Sequence, residues 1–136
     1  MIQLIVGQKG KGKTKRLLDK VNEEIKTVSG NIVYVDKSSK HMYELNNKIR
    51  LIDMSKYPVH SSDSFIGFIC GVLSQDHDLD QMYLDSFLKI AGIEENNVED
   101  TINKLEKISE QYNVLFVISM SVEESDLSES AKSKVI

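Results

Sequence analysis

Gly7-Gln8-Lys9-Gly10-Lys11-Gly12-Lys13-Thr14 follows directly on the apolar run Ile2-Gln3-Leu4-Ile5-Val6 and precedes the stripe Leu17, Leu18, Val21, Ile25 and Val28. The eight residues satisfy G-x-x-x-x-G-K-[ST] at every fixed position, in the strand–loop–helix context that the pattern requires. Glycines let such a loop curl until successive backbone N–H groups point inward around a phosphate. A helix beginning near Lys13 adds the positive end of its dipole and its free N–H groups. Lys13 reaches β- and γ-phosphates as a point charge, and the Thr14 hydroxyl is a ligand for Mg²⁺. This is a Walker A loop, with Gly7, Gln8, Lys9, Gly10, Lys11, Gly12, Lys13, Thr14 and Lys15 as the nucleotide-binding residues.

Outward from the loop, short β-rich runs alternate with helical periodicity. Strands are expected at Ile2–Val6, Ile32–Val35, Ile49–Ile52, Met82–Leu84 and Val114–Ile118. Phe65, Ile66, Ile69 and Leu73 form a second helical stripe, opened by the cap-like cluster Ser61-Ser62-Asp63. Val98, Ile102, Leu105, Ile108 and Tyr112 form a third, with Asn96-Asn97 as cap residues, and a weaker helical piece covers Lys40 to Leu45. The unbroken apolar run Val114 to Ile118 suits a strand covered on both faces. Alternating strands and helices predict right-handed βαβ units around a mainly parallel sheet. The expected fold is a three-layer α/β/α P-loop NTPase-like domain, residues 1–136 forming one nucleotide-binding domain, with 121–136 as a short helix or tail.

A P-loop site needs an aspartate at the end of a second apolar strand to hold magnesium. Gln81-Met82-Tyr83-Leu84-Asp85 has that shape, and Asp85 is the choice over Asp53, whose run Arg50-Leu51-Ile52 is less apolar. Thr14 and Asp85 are therefore the candidate metal residues. No guanine-specific N-K-x-D follows a strand, because Asn103-Lys104-Leu105-Glu106 sits mid-helix, and no D-x-x-G follows Asp85. ATP is the expected nucleotide, with Mg²⁺.

The chain of 136 residues is 40% apolar and 28% charged, which fits a globular core and excludes wholesale disorder. Its net charge of −4 is uneven: residues 1–26 hold seven basic and three acidic side chains, so they carry +4 and the remainder −8. That asymmetry suits a local anion site better than a nucleic-acid-coating surface. Nucleic acid is an unexpected partner, since there is no Trp and aromatics are 7%. The longest apolar run, Phe65 to Leu73, is too short to span a bilayer, and the opening residues lack a signal-like stretch, so a cytoplasmic protein is expected. The lone Cys70 forms no internal disulfide and falls on an apolar helix as a core residue. Gly67 and Gly71 on the same helix are expected to allow close packing. His41, His60 and His77 lack metal-ligand spacing.

The strand count resembles the ATPase branch of P-loop proteins, in which a later strand inserts between the two Walker strands. That resemblance implies a γ-phosphate-sensing role for Ser119 at the tip of the last strand. It also implies a glutamate after the Walker B aspartate, where this chain has Ser86. Some members carry the acidic residue on the neighbouring strand, which points to Asp36; with Lys13, it is the candidate catalytic pair. Asp36 also stands where an ordinary turn residue would. Arg16 and Arg50 are the only arginines. Slow or partner-dependent hydrolysis is the expectation, with a nucleotide switch, or a non-hydrolysing module docked on a larger protein partner or second copy, as the alternatives.

Across its length the chain is similar to small clostridial-type P-loop ATP-binding proteins, often labelled twitching-motility-like. The likeness rests on Met1 to Gly7 with Gly12-Lys13-Thr14, on Val28 to Lys37, on Arg50-Leu51-Ile52-Asp53, and on Tyr83-Leu84-Asp85-Ser86 through Leu88-Lys89-Ile90. It implies a nucleotide site.

Overall fold

The protein is described by a computed structural model covering residues 1–136. Five strands, β1 (Ile2–Val6), β2 (Asn31–Asp36), β3 (Arg50–Asp53), β4 (Leu79–Leu84) and β5 (Leu115–Met120), pair in the order β1-β5-β4-β2-β3. Every pairing is parallel. β5 thus lies between the loop-bearing strand and β4, as the strand count implied.

Side chains alternate between the two sheet faces, as the period of two requires. Val33, Val35, Met82, Leu84, Phe116 and Ile118 enter one core with α2 (Ser62–Ser74) and α4 (Val98–Tyr112). Ile32, Tyr34, Tyr83 and Val117 enter the opposite core with Leu17, Leu18 and Val21 of α1 (Lys13–Glu24). Both faces are covered, which is the condition an all-parallel sheet needs. The chain has the three-layer α/β/α P-loop NTPase-like fold.

Several boundaries differ from the apolar pattern. β4 begins three residues early, at Leu79, because buried Gln81 is satisfied: its amide donates to Glu24 at 3.1 Å and it accepts from the Tyr83 hydroxyl at 2.8 Å. The strand therefore runs through a polar residue that interrupts the apolar signal. β3 and β5 each begin one residue later than expected. Lys40 to Leu45 is only a 3₁₀ turn at Met42–Glu44, since it has no apolar stripe to bury. α1 stops at Glu24, and Val28 packs on its core from beyond the helix.

Two expectations about α2 are corrected. Cys70 is exposed, because the helix buries the Phe65, Ile69 and Leu73 stripe and Cys70 lies about 100° around from Ile69. Gly67 and Gly71 face open space, with nothing within 4 Å of a Cβ placed there, so they mediate no close packing. At its start, Ser61 and Ser64 form a reciprocal capping box, whereas Asn97 caps α4 by position without a side-chain bond. Residues 121–136 are more than a tail. Val122, Leu127 and Ala131 are buried, a short helix α5 occupies Glu129–Lys132, and the segment ends beside β1. There Leu4 N–H donates to Lys134 O and Ile136 N–H to Leu4 O, both at 2.9 Å.

α3 (Phe87–Ile90) follows β4 through Ser86, which adopts the left-handed conformation at φ 56°. Register sets Ile5 beside Ser119, Ile118 beside Leu84, and Leu84 beside Val35. One row at the carboxyl edge therefore gathers Asp36, Asp85, Ser119 and the start of the glycine loop, where ligands of open α/β sheets collect.

Candidate functional site

The loop between β1 and α1 takes its shape from backbone that L side chains rarely adopt: Gly7, Gly10 and Gly12 have φ of 147°, 87° and 76°. Gly12 is itself the N-cap of α1, so the first helical N–H groups open toward the loop. Lys13 folds back and donates to Gln8 O at 2.8 Å. Burial pushes its ammonium below the ordinary lysine range, against the opposing pull of the Asp85 charge.

Asp85 lies at the centre. Its Oδ1 accepts from the Ser119 hydroxyl at 2.7 Å and from the Thr14 hydroxyl at 3.2 Å, and its Oδ2 accepts from the Tyr34 hydroxyl at 2.8 Å. Ser119 Oγ in turn accepts the Ser86 N–H at 3.0 Å. Three segments far apart in sequence thus converge on one buried carboxylate at the end of a fourth. Burial, reinforced by Asp85, drives the Tyr34 phenol far above its ordinary range, so it is a permanent donor. Tyr34 is absent from the sequence-derived candidates. Its only signal was its place in the apolar run of β2, which reads as plain core.

Asp36 sits beside Asp85 on β2 and is 2% exposed. Its Oδ1 accepts the Lys37 N–H at 2.7 Å, while Oδ2 is buried without a partner. Burial first, and then the Asp85 charge, raise its carboxyl above the usual carboxylate range. A buried acidic oxygen without a partner is a costly feature, and here it belongs to a residue that lines the cleft. Asp53 is excluded from this cluster: it caps the turn Met54–Lys56 by accepting the Ser55 N–H.

These residues line a cleft of about 520 Å³. Its walls carry six lysines (Lys9, Lys13, Lys15, Lys37, Lys40 and Lys89) against Asp36 and Asp85. Lys37, Lys40 and Lys89 were not foreseen as site residues, because they enter from the turn after β2 and from α3. Lys15 is paired with Asp19 at 2.8 Å. Both arginines are engaged elsewhere: Arg16 donates to Ile136 O at 3.1 Å, and Arg50 pairs with Asp76 at 2.9 Å. The cleft is predominantly basic. Thr14 Oγ keeps lone pairs free while donating to Asp85, and no cluster of three or more acidic, His or Cys ligands forms a metal cage. Magnesium at such sites is held by one or two protein groups together with phosphate oxygens and water.

No family model matches the sequence, and no curated protein matches it. Among solved structures, the chain is similar to the flagellar accessory protein FlaH from Methanocaldococcus jannaschii, with a TM-score of 0.64 and 14% identity over 97% of this chain and 65% of that one. It is also similar to a KaiC-like protein from Pyrococcus horikoshii, with a TM-score of 0.63 and 19% identity over 96% of this chain and 64% of that one. The chain spans just under two thirds of either neighbour's length. The likeness is one of fold. No helix is long and apolar enough to cross a membrane.

Proposed function

We propose that residues 1–136 act as one nucleotide-binding domain that takes up Mg²⁺–ATP and hydrolyses it slowly or under a partner's control. The observation that carries this reading is the Thr14–Asp85 hydrogen bond, which joins the glycine loop to the end of β4 across 71 residues. In this reading Gly7 to Lys15 cradle the phosphates, Lys13 neutralises β- and γ-phosphate charge, and Thr14 with Asp85 holds magnesium. The bound ion would draw charge from the phosphate oxygens. Ser119 stands where it contacts both Asp85 and the backbone at Ser86, so displacement of Asp85 would reach the start of α3. Asp36, on the cleft wall, orients the attacking water and takes its proton.

Titration calorimetry with ATP and GTP, with and without Mg²⁺, tests the binding step, and Lys13→Ala is the control. Wild-type protein that shows no phosphate-dependent binding would end the proposal. Phosphate release in the steady state tests the chemistry, and turnover is expected below the roughly 1–100 per second of kinases.

A second reading, a non-hydrolysing module that docks on a larger partner or a second copy, is favoured by Ser86, which puts a backbone N–H and no carboxylate directly after Asp85. Identical hydrogen exchange across 119–136 in ATP-analogue and ADP complexes, with no hydrolysis, would select it, since a switch needs unequal affinities in its two states. A cytoplasmic location and weak binding of nucleic acid go with either reading. The motility label of the similar clostridial-type proteins is not carried over.

A further inference from the structure

Lys9 in the glycine loop, Lys37 after β2 and Lys89 on α3 come from three separate elements to one rim of the cleft. All three are exposed, and none forms an ion pair. Lys37 and Lys9 crowd Lys89 closely enough to push its ammonium below the ordinary lysine range. Like charges brought together without an ion-pair partner are a poor arrangement for an empty surface and a good one for a compact anion.

The identity of that anion follows from position and charge. Lys37 is next in sequence to Asp36, and Lys89 lies four residues beyond Asp85, so the rim faces the carboxylate end of the cleft. A magnesium-bound triphosphate stays anionic, and Asp36 and Asp85 add to the negative charge, which leaves Lys13 short: of the other loop lysines on the cleft, Lys15 is paired with Asp19 and Lys9 belongs to the rim. The three rim lysines make up that shortfall. Neither arginine is free to do so, since Arg16 and Arg50 are bonded outside the cleft.

We infer that Lys9, Lys37 and Lys89 form a cationic clamp, supplied by the chain itself, that recognises the terminal phosphate of a bound nucleoside triphosphate and so distinguishes it from the diphosphate. This rests on the nucleotide reading above. The clamp stands where an arginine finger would otherwise come from a partner. Lysine ammoniums act as point charges rather than as planar forks, so the clamp selects charge more than geometry.

Calorimetric titration of wild-type protein and of the Lys37→Ala/Lys89→Ala variant, with Mg²⁺–ADP and with the Mg²⁺ complex of the β,γ-imido analogue of ATP, tests the inference. Both substitutions fall at exposed positions without ion pairs, and the thermal midpoint is expected to stay at the wild-type value. The variant is expected to lose about tenfold or more in analogue affinity, the scale of a lost charge-assisted contact. Its ADP affinity is expected to change by less than about twofold, as for screened surface charges. Lys37→Arg/Lys89→Arg is expected to restore the preference. Equal losses for the two nucleotides, or no loss for either, would overturn the clamp and leave nucleotide binding standing. Wild-type protein that binds neither nucleotide would overturn both.

Discussion

Replacing Asp36 with Asn separates the cost of this residue to the fold from its use. Its Oδ2 is buried without a partner, next to the Asp85 carboxylate, and its carboxyl is raised above the usual range by burial and then by that charge. Asn keeps Oδ1 as acceptor for the Lys37 N–H and removes the charge. A buried, unpartnered charge costs more than a neutral unsatisfied group, which costs about 1–3 kcal/mol, and the amide NH2 that takes the place of Oδ2 gives back part of the gain. The expected gain in the ligand-free protein at neutral pH is about 1 kcal/mol, or about 4 °C in Tm for a domain of this size. The gain must depend on pH. The native state holds its Asp36 proton to higher pH than the unfolded chain, so wild-type stability falls as pH rises from the ordinary carboxylate range through the raised native value. The amide of the Asp36→Asn variant does not titrate. The difference in Tm between the variant and wild type should therefore be small where both native and unfolded Asp36 are protonated, open across that window, and level off above it. Thermal melts followed by circular dichroism from acid to neutral pH, paired with phosphate release at neutral pH, are the assay. A variant less stable than wild type at neutral pH, or a difference that ignores pH, would refute the electrostatic reasoning. A variant that hydrolyses ATP at the wild-type rate would remove Asp36 from the chemistry.

Lys13→Ala is expected to weaken Mg²⁺–ATP binding by about tenfold or more while leaving the ligand-free Tm close to wild type, because its one bond in the free protein is an exposed contact to Gln8 O; calorimetry and a melt read both. Tyr34→Phe strips Asp85 Oδ2 of its donor inside the core, so a loss of about 1–3 kcal/mol in urea-unfolding stability is expected, with a higher Mg²⁺ requirement for nucleotide binding. Gly12→Ala places a Cβ on backbone at φ 76°, with a cost of about 1–2 kcal/mol and a loss of nucleotide affinity by calorimetry even though open space surrounds the site.

The glycine loop was legible in the chain because its chemistry is local: three positive-φ glycines, a lysine and a hydroxyl fall within one short stretch, and strand and helix lie on either side. The two-faced sheet was legible for a related reason. The unbroken apolar run Ile32 to Val35 and the helical stripes report burial directly, and β5 between β1 and β4 matched the strand count. Asp85 could be named from the apolar run it ends. Its surroundings could not, since hydrogen-bond partners 34, 51 and 71 residues away become neighbours only through parallel register. Tyr34 looked like ordinary core until its hydroxyl met Asp85. Cys70 looked like core too, because composition marks a helix as apolar while only its rotation against the sheet selects the buried face. The rim lysines make the same point for charge. Lys9 was named with the loop, but Lys37 and Lys89 are unremarkable residues in the sequence, and their convergence with it at one cleft is a property of the assembled sheet edge, where every parallel strand delivers its carboxyl end to the same side.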